Sequence, residues 1–330
     1  MTVRRTLPQR SRTLIGAWCF ADHYGPDDVT ETGGMDVAPH PHTGLQTVSW
    51  LFSGEIEHRD SLGTHAYVRP GELNLMTGGH GISHSEVSTR RTTVLHGVQL
   101  WVALPDEHRH AEADFQHHVP GSVRVDGATV SVFLGTLAGV TSPVRTFTPL
   151  LGAEVVLDPG ATAVLTVDPA FEHGLLVDHG TVRLAGAALR PAELGYVAPG
   201  HGRLTLTNES DAPARTVLLG GAPFEEEIVM WWNFVGRSQQ DIEEARRDWM
   251  AGFLSDSMTG SVTDRMTGSM TGSVTDRMTG SMAGSMADPA VGSMASSRFG
   301  EVHGYDGGRG GRLPAPELPT VGLKPRGRVR

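Results

Sequence analysis

Two short pairs of side chains hold most of the chemistry that this sequence can offer. His40-Pro41-His42 and His84-Ser85-Glu86 each set two metal-type donors one residue apart. In an extended strand, residues i and i+2 project to the same face about 6 to 7 Å apart. Each pair can therefore aim both donors at one point. If the two segments lie side by side, His40, His42, His84 and Glu86 converge on a single ion. Three neutral nitrogens and one carboxylate suit Fe(II), Mn(II), Ni(II) or Zn(II) and argue against a purely soft Cu(I) site. A six-coordinate ion would keep two positions for oxygen or a chelating substrate, whereas a four-coordinate zinc with no vacancy would be structural.

The other candidates stand on less. His58 and Asp60 could line the mouth of such a site or fix the orientation of a ligand, and Asp60 suits turn-capping equally well. His80, inside Gly78-Gly79-His80-Gly81, is a further pocket candidate. His108-Arg109-His110 lies in a polar stretch and reads as a pair of surface histidines. The second half offers only scattered His173, His179 and His201, so no second metal is expected there.

These residues must be held by strands. LQTVSWLF from Leu45 is bulky, β-branched and aromatic, as in a buried strand. Short strands then recur at close spacing between Gly and Pro turns, a pattern of sandwiches and barrels rather than βαβ units. Leu14 to Phe20 reads as a strand and Tyr24 to Asp28 as its turn. Asp106 to Pro120 is polar and reads as a connection, after which residues 153–219 repeat the style of the first half. Beyond them QQDIEEARRDW reads as a helix, with Ser238 as N-cap and Asp241 at its third position.

Composition narrows the class. With 330 residues the chain can build about two ordinary domains. Its single cysteine, Cys19, has no internal partner and is expected to be a small buried apolar residue. No run approaches the roughly 18 apolar residues of a membrane span. Met1-Thr2-Val3-Arg4-Arg5 lacks a following apolar segment, so a cytoplasmic monomer with no membrane partner is expected. A net charge of -10 works against nucleic acid as the main partner. Residues 258–269, MTGSVTDRMTGS, recur identically at 270–281, and with no apolar ridge to bury this insert is expected to be disordered. The tail from Arg298 carries a Gly/Arg run that resembles an RGG segment, but an arm laid back over the barrels is the preferred reading.

PHPHTGLQTVSWLFSGEIEHRDSLG and GELNLMTGGHGISHSE resemble the two motifs of the pirin family of bicupins, and the likeness continues through HGVQLWVALP to RFGEVHGYDG and RLPAPELP. The resemblance implies an all-β fold of two tandem cupin (jelly-roll-like) barrels, with a short C-terminal helix and an extended C-terminal arm. The expected division is an N-terminal metal-binding cupin over 1–118, a degenerate cupin with helix over 119–254, the repeat insert over 255–297 and the arm over 298–330. It also implies one divalent metal in the first barrel, most often iron, held by His40, His42, His84 and Glu86. The general cupin carboxylate position is Gln46 here; pirins take the carboxylate from the second motif, so Gln46 is not expected to ligate. The implied activity is an iron-dependent dioxygenase of the quercetin (flavonol) type, in which Glu86 accepts the proton of a small aromatic substrate. The alternative is a non-enzymatic, redox-sensitive iron-binding regulator of a protein partner.

Overall fold

The computed structural model describes residues 1–263, 297–308 and 310–327; the expected disorder of the insert lies mostly outside the described residues. Ten strands build the first barrel: β1 (Val3–Leu7), β2 (Trp18–Asp28), β3 (Asp36–His42), β4 (Leu45–Ser53), β5 (Ile56–Asp60), β6 (His65–Val68), β7 (Leu73–Thr77), β8 (Ile82–Ser88), β9 (Val94–Ala103) and β10 (Asp114–His118). They form a six-stranded sheet, β1-β2-β9-β4-β7-β10, and a four-stranded sheet, β3-β8-β5-β6. The second half repeats the scheme. Six strands from Ser122–Val125 to Ala214–Gly221 make one sheet, and Thr162–Thr166, Arg203–Asn208, Val182–Leu184 and Ala187–Leu189 make a four-stranded partner. The fold is the expected all-β pair of tandem barrels.

The six-stranded sheets of the two barrels pack on each other. Along β4 and β9, Val48, Trp50, Val98 and Leu100 face this seam and share one core with Phe133, Leu176, Val217 and Leu219 of the second barrel. Polar ties cross it: Trp18 Nε1 donates to the carbonyls of Leu151 and Gly220, and Trp50 Nε1 donates to Glu154 Oε2 at 2.7 Å. Cys19 is fully buried at the seam, and burial pushes its thiol up to about 12, so it behaves as the expected apolar residue.

Three readings of local sequence are corrected. Tyr24 to Asp28 does not turn; β2 runs through to Asp28, absorbing Gly25 and Pro26 as a register shift against β9. The polar stretch after Pro105 is not only a connection, because β10 pairs residue for residue with β7 and covers its edge. The C-terminal helix, Gln239–Thr263, is 25 residues long rather than short. It starts as expected: Ser238 Oγ accepts from Asp241 N at 3.2 Å and Asp241 Oδ2 accepts from Ser238 N at 2.9 Å, a reciprocal cap. The arm lies along the outside of β3 and β8, where Ser83 Oγ donates to the Phe299 carbonyl, Leu313 N to the Pro39 carbonyl and Tyr305 Oη to Asp36 Oδ1. Among the described residues no helix is long and apolar enough to cross a membrane.

Candidate metal centre

The two donor pairs are neighbours in one sheet. β3 and β8 run antiparallel with His40 opposite His84, while β5 on the other side of β8 sets His58 opposite Glu86 and Asp60 opposite His84. Alternation sends these six side chains to the barrel interior. There His40, His42, His84 and Glu86 are 6, 2, 1 and 6 % exposed.

Their donor atoms form two overlapping triplets, each within 4.8 Å: His40, His42 and His84, then His58, His84 and Glu86. His84 belongs to both. Glu86 thus stands beside the imidazole trio on the His58 side, and His58 lies closer to the centre than a mouth residue would. His80 joins neither triplet; it is exposed, its ring 5.7 Å from that of His110.

Hydrogen bonding sets the tautomers. His40 Nδ1 lies 3.0 Å from the Ala38 carbonyl, which can only accept, so the proton sits on Nδ1 and the lone pair on Nε2. Asp60 Oδ2 lies 3.2 Å from His58 Nε2, fixing the His58 proton there and leaving Nδ1 as an acceptor. His84 Nδ1, 3.3 Å from His58 Nδ1, must then be the donor, so His84 also turns a bare Nε2 inward, 3.0 Å from His42 Nε2. Asp60 performs both roles expected of it, since Oδ1 accepts from Leu62 N and Thr64 N in the turn. Phe115 of β10 stacks on His58 at 4.8 Å, a contact hidden in a stretch whose polarity suggested a connection.

Burial keeps these bases neutral. It brings His40 down to about 4 and holds His42 and His84 well below the ordinary imidazole value, with neighbouring imidazoles adding to the effect on both; the Asn233 backbone partly opposes it at His42, although His42 Nδ1 finds no well-formed hydrogen bond. Glu86 is raised by burial, an effect that His58 and Ser49 oppose. The Ser49 hydroxyl lies 2.9 Å from Gln99 Oε1 and 3.4 Å from Glu86 Oε1, with one hydrogen for two acceptors, so Glu86 is loosely held. The Tyr24 hydroxyl is buried without a hydrogen-bond partner, and burial followed by the field of Glu86 keeps it protonated. Inward lone pairs, few protons and one loose carboxyl make a donor set that fits a divalent cation.

Gln46 faces away. It lies opposite Thr77, to whose Oγ1 its Nε2 donates at 3.0 Å, and shares the sheet face of Val48 and Trp50. Ser49, which approaches Glu86, is on the other face. Tyr24, Ser49, Gln99 and Phe115 were not legible as site residues, because each lies on a strand outside the donor pairs and only the barrel turns them toward the donors.

Comparison with known proteins agrees with this architecture. Residues 1–102 match the family model described as Pirin, and residues 152–255 match the Pirin C-terminal cupin domain. The chain is 47 % identical over 254 residues to a Pseudomonas aeruginosa protein named "Putative quercetin 2,3-dioxygenase", covering 76 % of this chain and 80 % of that one. It is 36 % identical over 261 residues to a pirin-like protein of Caulobacter vibrioides, covering 76 % and 88 %. A crystal structure of a quercetin 2,3-dioxygenase from Acinetobacter baumannii superposes with a TM-score of 0.79 at 34 % identity, covering 97 % of this chain and 91 % of that one.

Proposed function

The chain belongs to the pirin family, and from that membership we propose that it is an iron-dependent dioxygenase of the quercetin (flavonol) type, with the ion held by His40, His42, His84 and Glu86. The observation that carries the reading is the trio of buried imidazoles whose ring nitrogens converge within 4.8 Å of one another, with the lone pairs of His40 and His84 set inward. A bound ion would supply Lewis acidity toward the adjacent hydroxyl and carbonyl oxygens of a flavonol. The remaining work falls to the protein. Asp60 and His58 hold His84 in its donor tautomer, and the apolar strands keep bulk water away from the imidazoles. Glu86, held by one long hydrogen bond, would accept the substrate hydroxyl proton on a carboxylate oxygen, while Tyr24 and Ser49 offer hydroxyls near it.

Oxygen uptake by the iron-loaded protein with quercetin tests this. The expected result is uptake that needs both quercetin and metal and that His42→Ala abolishes. No uptake by fully loaded protein overturns the dioxygenase reading and returns the site to a redox-sensitive regulator, for which partner affinity should differ between Fe(II), Fe(III) and metal-free forms. Metal content per chain in both His42→Ala and Glu86→Ala undiminished from that of the unaltered chain would show the ion to be elsewhere.

A further inference from the structure

A second set of donors converges in the seam between the barrels. On β9, His96 has the parity of Val98 and Leu100, which face the second barrel, and on strand Glu172–His179, Asp178 sits at a register shift after Val177 and points to the first barrel, where it meets both histidines. His23 reaches the same place from β2. His23 Nε2 lies 2.7 Å and His96 Nε2 2.6 Å from Asp178 Oδ1, and the two Nε2 atoms are 3.4 Å apart. Side-chain exposure is 3 % for His23, 13 % for His96 and 1 % for Asp178. Arg215 Nη1 holds the other oxygen, Oδ2, at 3.3 Å, which leaves Oδ1 for the shared point. The Phe52 ring closes one side, 5.0 Å from His96 and 6.5 Å from His23, with the Arg215 guanidinium 4.9 Å over it.

We propose that His23, His96 and Asp178 hold a second divalent transition-metal ion, of the zinc class, in the seam between the two barrels. Two imidazoles and a carboxylate are a donor set for a three-ligand site that completes its shell with solvent. The triangle they form has a circumradius of about 1.7 Å, so one ion can reach all three at bond lengths of about 2.1 Å; the two Nε2 atoms already have the tetrahedral separation of about 3.4 Å, and Oδ1 would move outward by less than about 1 Å to match it. Arg215 on the distal oxygen is the outer contact that ligating carboxylates usually have. His23 Nδ1 has no partner, so in the ion-free state the His23 proton lies on Nε2 against Asp178, and an ion would displace it, with Nδ1 vacant to take the proton of the other tautomer. His96, the most open of the three, gives the route in. The competing arrangement is an ion-free clasp in which both Nε2–H groups donate to Asp178.

The test uses the full chain, stripped with chelator and titrated with Co(II) and Zn(II), with metal content per chain and the visible Co(II) bands as readouts. His42→Ala, which disables the first site, is expected to retain one ion per chain. His42→Ala combined with His96→Gln is expected to retain none, and His42→Ala combined with Asp178→Asn to bind at least about 10-fold more weakly. Asparagine can still accept both Nε2–H groups, so circular dichroism and melting separate a surviving clasp from a lost ion. Equal metal binding by His42→Ala and its two derivatives, whether none or one, overturns the proposal. A single ion in the otherwise unaltered chain that is lost with His96→Gln but kept with His42→Ala would uphold this site and remove the first one.

Discussion

At the scale of single residues, the tautomer chain from Asp60 through His58 to His84 separates a proposed ligand from what aims it. His58→Phe keeps a ring on Phe115 but deletes the acceptor for His84 Nδ1. Metal affinity should fall by about 10- to 100-fold with His40, His42 and His84 all present. A competition titration giving unchanged affinity would show that His58 does not aim His84. In the second barrel, His173 is 1 % exposed, neither ring nitrogen has a partner, and burial brings it down to about 4 from 6.5, with Asp168 opposing the shift. A base with a lowered folded-state value is neutral in the fold and charged on unfolding, so its contribution is complete above pH 6.5 and is lost as pH falls toward 4. His173→Gln should remove on the order of 3 kcal/mol of that acid-dependent loss between pH 7 and pH 4. Parallel denaturation curves across that range for the two proteins would refute the assignment.

At the scale of elements, the site depends on how β3 hands over to β4. Gly44 sits between them at φ 69°, its N–H donating to the Gly79 carbonyl and its own carbonyl accepting from Leu104 N. A Cβ there would run into the Val235 carbonyl oxygen. Gly44→Ala should therefore cost about 3 kcal/mol or more, combining left-handed strain with a backbone clash. Gly63 has φ 86° but open space around it, so Gly63→Ala should cost only about 1 kcal/mol. Urea denaturation compares the two directly, and equal losses would mean that the clash is relieved by local movement. The strand after Gly44 was legible from the apolar run LQTVSWLF, whereas β3, DVAPHPH, carries no such run. The path of β2 through Tyr24 to Asp28 was not legible, because Gly25 and Pro26 are turn residues by local rules and only pairing with β9 keeps them in the sheet.

At the scale of the whole molecule, the barrels share a core. Trp18, Val48, Trp50, Leu73, Leu75 and Leu100 would all lose cover if the second barrel were absent, since their cluster includes Phe133, Leu176 and Leu219. Residues 1–118 expressed alone should therefore be insoluble or bind hydrophobic dyes, while the full chain should unfold in one transition reported alike by tryptophan fluorescence and far-ultraviolet dichroism. A soluble, cooperatively folding 1–118 fragment would show that the seam is dispensable to the first barrel.

The donor residues, their i and i+2 spacing and the all-β class were set by local sequence, because strand periodicity and turn chemistry act over a few residues. Tertiary structure alone decided which strands pair. It put His40 opposite His84, set His58 beside Glu86, turned Gln46 to the face of Val48 and Trp50, and brought His23 to Asp178 across 155 positions of chain. Register between distant strands follows from which faces bury together, and a one-residue slip would reverse every side chain named here. The chemistry of the first site was therefore readable as a set of atoms, while the lone pairs that make it a site came from the packing of the barrel.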